Sequence, residues 1–160
     1  MMDLEKYIQK LGIQAKLLKL TVPTPTVASA AEAVGTTVDK IIKSLLFLID
    51  GQPTLVISRG TQKVDRKRLA KHFKVSRKRV KLANAETVME ITGYEVGAVP
   101  PFGHPSKLSV ILEPSVLEES VVFAGGGSID KLVEISPQEI LRVTDATILE
   151  LHSTDKDRQD

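Results

Sequence analysis

IIKSLLFLI (residues 41–49), DGQP (50–53) and TLVIS (54–58) form one continuous stretch near the middle of the chain. Both apolar runs are strand-sized and rich in aliphatic and β-branched residues, and Asp-Gly between them suits the positive φ angles of a tight turn. The stretch therefore predicts a β-hairpin. Period-2 alternation puts Ile41, Lys43, Leu45, Phe47 and Ile49 on one face of its first strand and Ile42, Ser44, Leu46 and Leu48 on the other. Lys43 breaks the apolar pattern of its face. Two readings are open: an ammonium partly desolvated at the mouth of a pocket, where it would attract phosphate or carbonyl oxygens, or a strand-end lysine that snorkels to water.

Upstream of the hairpin, Leu4, Ile8 and Leu11 have helical spacing with Gly12 as a stop. Ile13, Ala15 and Leu17 alternate like a strand running to about Thr21. VPTPTV reads as a loop, and Thr26 caps a short helix through ASAAEAV that halts at Gly35. Downstream, Asp65 caps RKRLAKHF, with Leu69 and Phe73 on its apolar face, and Asn84 opens a helix through Ile91 that stops at Gly93. The last third alternates KLSVILE, SVVFA and KLVEIS with a capping box at Ser136 and Glu139. TILEL (147–151) closes as a strand, and 152–160 reads as a frayed polar tail. Strands come in runs joined by several short connections, which favours an α+β single domain over 160 residues, with a mixed, mostly antiparallel, barrel-like sheet flanked by helices.

Charge is unevenly distributed. The formal total is +2, with 22 Lys+Arg against 20 Asp+Glu. From Arg59 to Lys81, however, eleven of 23 residues are basic and only Asp65 is acidic, a segment of +10 set against −8 in the rest. Such a segment is either a solvated basic face or a nucleic-acid surface. With no Cys, thiol nucleophiles, disulfides and Cys-bound metals are excluded. Three His at 72, 104 and 152 are too scattered for a His-rich metal site, so neither metal nor cofactor is expected. G-x-G-x-x-G and P-loop motifs are absent, and no internal repeat is found. No apolar run reaches the roughly 18 residues of a membrane span, and the first twelve residues lack a signal-peptide h-region. A cytoplasmic protein is expected.

Two glycine-rich stretches remain. Gly93–Pro105 holds three Gly and three Pro. It either presents backbone N–H and C=O groups to a water or an oxyanion, or it is a rigid turn over the core. His104 within it is an acid–base group or a structural side chain. Ala124–Ser128 (AGGGS) follows a strand and implies close backbone approach or mobility, and Ser128 has no evident His partner for a triad.

Taken in order, TVASAAEAVG, IIKSLLFL, KVDRKRLAKHF, TGYEVGAVPPFGHP and VVFAGGGSIDKLVEISPQEILRVT resemble the YbaK-like, prolyl-tRNA-editing-domain family. The likeness covers about Thr26 to Leu151, with a domain core of about 24–151. It implies a mixed α/β barrel-like fold and hydrolysis of the ester joining a wrong amino acid to tRNA, by a free-standing trans-editing factor or a domain of prolyl-tRNA synthetase. The family's lysine is similar to Lys43, and its GxxxP loop to Gly97–Pro101. Lys43 would then hold the ester or the terminal phosphate, and backbone groups at Gly97–Pro101 would position water, assisted by the substrate's ribose hydroxyl. Ser44, Pro100, Phe102, His104, Gly126, Gly127 and Ser128 are the implied substrate contacts. Arg66, Lys67, Arg68 and Lys71 are the candidates for tRNA phosphates. Ser128 stands where some members carry His or Asn, and Ser44 where relatives often have Thr or Asn. Specificity therefore does not transfer: tRNA-Pro carrying Cys, Ala or another small residue is the expected substrate, with Pro, Ser and Thr esters open. Prolyl-tRNA synthetase is a candidate partner, and the oligomeric state is left open. The alternative is a non-catalytic tRNA- or protein-binding module with the same fold.

Overall fold

A computed structural model describes residues 3–152. Among them lie five helices, α1 (Leu4–Lys10), α2 (Val27–Val34), α3 (Arg66–Phe73), α4 (Ala85–Thr92) and α5 (Pro137–Thr144). Eight strands accompany them: β1 (Ala15–Lys19), β2 (Ile42–Ile49), β3 (Gln52–Arg59), β4 (Val80–Leu82), β5 (Ser109–Leu112), β6 (Val122–Gly125), β7 (Lys131–Ile135) and β8 (Thr147–Ile148). The polar tail expected over 152–160 lies, from 153 on, outside the described residues. None of the described helices is long and apolar enough to cross a membrane.

β2 and β3 form the expected hairpin, closed by Asp50 (φ 50°) and Gly51 (φ 84°), both at the positive φ a two-residue type I′ loop requires. The second strand starts earlier than the apolar run suggests, because Gln52 pairs with Ile49 and Pro53 with Leu48. Hydrogen-bonded and open pairs alternate along an antiparallel ladder. Pro53, one step in from the turn, occupies an open pair, and pairing with β5 begins only at Thr54. Its missing N–H therefore costs no ladder bond.

The eight strands make two sheets, ordered β1-β7-β6 and β4-β2-β3-β5-β8. The mixed α+β fold holds, but the barrel-like closure does not. Beyond the strands, the sheets are joined by the Ile41–Phe123 bridge and then diverge around a cavity. Four strand pairs are antiparallel, while β3–β5 and β5–β8 are parallel. The short connections expected of the chain do not apply to these two pairs, whose intervening segments carry helices and strands of their own and are long enough for crossovers.

β2 is buried on both faces, as its alternation requires. Ile42 and Leu46 join the main core with Leu55, Ile57 and Val133, while Phe47 and Ile49 pack with Val56, Leu69 and Ile111 under α3. Two expected core residues are exposed: Leu11, 50% exposed, sits past the end of α1 as its C-cap, and Phe73, 36% exposed, is the last residue before the left-handed Lys74. The core also recruits Leu4, Ile8 and Ile13 from the first turns of the chain. Leu151 is buried, its N–H donating to the Glu113 carboxylate and its carbonyl accepting from the Asp65 N–H at the start of α3.

Thr26 caps α2 in a reciprocal box with Ser29. At α5 only half of the expected box forms: Ser136 Oγ accepts from the Glu139 N–H, but the Glu139 carboxylate turns away. It accepts instead from the Gln14 N–H (2.6 Å) and from Arg142 Nε and Nη2 (2.6 and 2.8 Å). Arg142 first, then the Gln14 N–H, hold its pKa down at about 2. A carboxylate depressed in the folded state stabilises above its unfolded pKa and loses that contribution as pH falls toward the folded value. Acid titration of wild-type protein should therefore cost about 2 kcal/mol between pH 5 and pH 2 that Glu139→Gln lacks, read from denaturant midpoints at each pH. Parallel profiles would show that the cluster adds nothing.

Candidate active site

β4 pairs with β2 only at Phe47–Ile49, and the Ala83 N–H donates to Leu46 O. Between that pairing and the Ile41–Phe123 bridge, the β2 edge has no strand partner among the described residues. A cavity of about 270 Å³ opens there, walled by Val27 and Ala30 of α2, Val88 of α4, Gly97 and Val99 of the glycine–proline loop, and Gly125 at the end of β6. Lys43 and Ser44 both line it.

Lys43 is half-buried, and its ammonium donates to the Gln62 carbonyl at 2.6 Å. Of the two readings of this lysine, the structure presents the desolvated one, and burial lowers its pKa below the ordinary lysine value. One of its three N–H bonds is spent on Gln62, leaving two for other acceptors. Gln62 is in turn held by the Ser115 hydroxyl, which donates to its side-chain oxygen at 2.9 Å. Nothing in the sequence marks Gln62, since a main-chain carbonyl can come from any residue. The Ser44 hydroxyl is buried without a hydrogen-bond partner among the described residues.

The glycine stretches explain each other. Gly97 (φ 88°) is exposed at the cavity, and its N–H meets no acceptor among the described residues. Ala98, Val99 and Pro100 then turn inward and are buried. The Gly127 N–H donates to Ala98 O at 2.9 Å, and a Cβ on Gly125 would lie 2.4 Å from Val99 O. A Cβ on Gly126 would lie 2.5 Å from the Lys131 carbonyl carbon. Gly125 and Gly127 thus seat the loop that carries Gly97, by close backbone approach, and Gly126 lies against the Lys131 backbone; neither Gly126 nor Gly127 lines the cavity.

The other sequence candidates lie elsewhere. Pro101, Phe102 and His104 line a separate hollow of about 220 Å³ with Tyr7, on which the Phe102 ring stacks at 6.0 Å. His104 Nε2 lies 2.9 Å from Pro100 O, and because a carbonyl only accepts, that nitrogen carries the proton. Burial pushes its pKa down. Ser128 donates to Asp130 Oδ1 at 2.6 Å and does not line the Lys43 cavity. Two larger hollows, about 460 and 370 Å³, lie around Phe73 and Lys107 and hold none of the candidate residues.

On α3, Arg66, Lys67 and Lys71 are exposed and Arg68 is half-buried, while Leu69 and Ala70 hold the helix to the sheet. Arg59, counted in the basic segment, is not available to phosphates. Its side chain is 11% exposed, pairs with Glu118 (3.0 Å) and Glu119 (2.9 Å), and donates to the carbonyls of Asp39 and Ser115. Sequence reasoning also missed Leu82, Val88 and Val96 as cavity walls, since each reads as an ordinary apolar position.

Residues 21–143 match the aminoacyl-tRNA editing domain family. The chain is 34% identical over 116 residues to the uncharacterized protein YwhH of Bacillus subtilis, covering 72% of each. It is 29% identical over 132 residues to the multifunctional Ser/Thr-tRNA deacylase ProXp-y of Escherichia coli, covering 79% of this chain and 77% of that one. The crystal structure of a "putative trans-editing enzyme for prolyl tRNA synthetase" superposes with a TM-score of 0.88 at 29% identity, covering 95% of this chain and 96% of that one.

Proposed function

This chain belongs to the aminoacyl-tRNA editing domain family, and from that membership we propose that it is a trans-editing hydrolase that deacylates mischarged aminoacyl-tRNA. The observation that carries the reading is a half-buried lysine, its ammonium partly desolvated, lining the same small, open cavity as Gly97, whose N–H meets no acceptor among the described residues. In the proposed reaction, water adds to the ester carbonyl, the C–O bond to the ribose breaks, and the free amino acid leaves a terminal ribose hydroxyl. The Lys43 ammonium meets the carbonyl oxygen or the terminal phosphate and stabilises charge that develops there. Of the Gly97–Pro101 stretch, Gly97 and Val99 border the cavity and their backbone groups position the water, while Pro101 faces the other hollow; the neighbouring ribose hydroxyl assists. Ser44 borders the amino-acid side chain.

A cavity of about 270 Å³ suits a small residue such as Cys, Ala, Ser, Thr or Pro. The open cavity also favours an enzyme over a binding module, for which a filled one would serve. We take the whole chain as one editing domain with its core over about 24–151, working in the cytoplasm on tRNA-Pro or a related tRNA, with prolyl-tRNA synthetase as candidate partner. Incubation of the protein with a panel of mischarged tRNAs tests this directly: release of at least one small amino acid is expected, and stability of every ester would overturn it.

The exposed cations of α3 are proposed to neutralise tRNA phosphates. Arg66→Glu, Lys67→Glu and Lys71→Glu together should weaken tRNA binding at least 10-fold at low salt and flatten the log K against log salt slope by about 2–3. An unchanged slope would leave α3 as a solvated face.

A further inference from the structure

Leu82 and Val96 are 49% and 54% exposed, yet both line the Lys43 cavity and stand at its mouth. Neither belongs to a core cluster. We propose that these two aliphatic side chains form a subsite for the base of the terminal nucleoside that carries the ester. This rests on the deacylase reading and adds to it a place for the nucleoside.

Three observations support the assignment. The first is size: at about 270 Å³ the cavity lies at the small end of ligand pockets, so an aminoacyl group takes up most of it and the nucleoside extends to its rim. With the ester carbonyl at Lys43, the ribose sits at the mouth and its base lies against the rim. The second is chemistry. The lining contains no Phe, Tyr or Trp, so aliphatic groups are what the cavity offers to the face of a base. Such a surface excludes water from the base without reading its hydrogen-bonding edge, which suits an end nucleoside common to all tRNAs. The third is charge. The exposed cations Arg77 and Lys78, which continue from α3, immediately precede the strand that carries Leu82, while Lys81 points to the opposite face of that strand from Leu82. The rim is therefore borne by the element that follows the basic segment, where phosphates of the same tRNA strand would be met.

The test uses two non-hydrolysable probes: 3′-deoxy-3′-(L-seryl)aminoadenosine, and the same serylamino sugar without its base. Wild-type protein should bind the adenosine probe at least 10-fold more tightly than the abasic one by calorimetry. Leu82→Ala/Val96→Ala should abolish that difference, by weakening the adenosine probe at least 10-fold more than the abasic one, with the thermal midpoint unchanged. Equal binding of both probes by wild-type protein, binding of neither, or a preference that survives the double substitution overturns the subsite. Loss of tRNA binding in the double variant without any base preference in the wild type also overturns it, by assigning the rim to another contact. Base-dependent binding without turnover of any mischarged tRNA would overturn the deacylase reading alone. Turnover without base dependence would overturn the subsite alone.

Discussion

Lys43→Ala should lower the rate of deacylation at least about 100-fold, the usual loss when one preorganised donor to a developing oxyanion is removed. The thermal midpoint should move little, because the substitution also removes a charge that is held against its desolvation cost. Lys43→Arg should not restore the rate: its planar fork is wider than an ammonium and cannot keep the single bond to Gln62 O in the same space. The pH profile carries a second signature. Since burial lowers the lysine's pKa, the rate should fall as pH rises through a value below that of an ordinary lysine. Undiminished turnover by Lys43→Ala on every mischarged tRNA that wild-type protein hydrolyses would remove the lysine from the reaction.

Gly125→Ala should be among the most damaging small substitutions in the fold. Its new methyl would stand 2.4 Å from Val99 O, 2.9 Å from the Val99 carbonyl carbon and 3.0 Å from that of Ala98, all of them backbone atoms. No rotamer change relieves such contacts, so the loop or the end of β6 must move. An overpacking cost of about 3 kcal/mol is expected, equivalent to a drop of roughly 6–12 °C in thermal midpoint for a chain of this size. Activity should fall further than stability alone predicts, because the displaced loop carries Gly97. Gly12→Ala is the control: φ is +63° there but no atom lies within 4 Å, so only the backbone preference is lost, about 1 kcal/mol. Equal midpoints for the two variants would show that the loop yields freely to the methyl group.

What the sequence made legible was local. The hairpin, the caps at Thr26, Asp65 and Asn84, and the odd placement of Lys43 follow from alternation and capping chemistry within a few residues. The sheet's failure to close was not legible, because it depends on where β6 meets β2, about eighty positions away in the chain. Arg59 looked like one more cation in a basic run until the fold brought Glu118 and Glu119 to it. The Gly97 loop and the Gly125–Gly127 stretch were each singled out for backbone approach, but that they approach one another was visible only in three dimensions. Pro101, Phe102 and His104 were grouped with Gly97 by the family resemblance, and the buried turn at Ala98–Pro100 sends them to a different hollow.

The two-sided burial of β2 has a consequence for the lysine it carries. A strand gripped on both faces cannot roll about its axis, so the charge it bears arrives at a set position and orientation before any ligand does. In water, gathering a counter-charge around a developing oxyanion requires solvent dipoles to reorient during each event. In the role proposed for Lys43, that reorganisation would be completed once, when the chain folds, and every later encounter would find the field already in place.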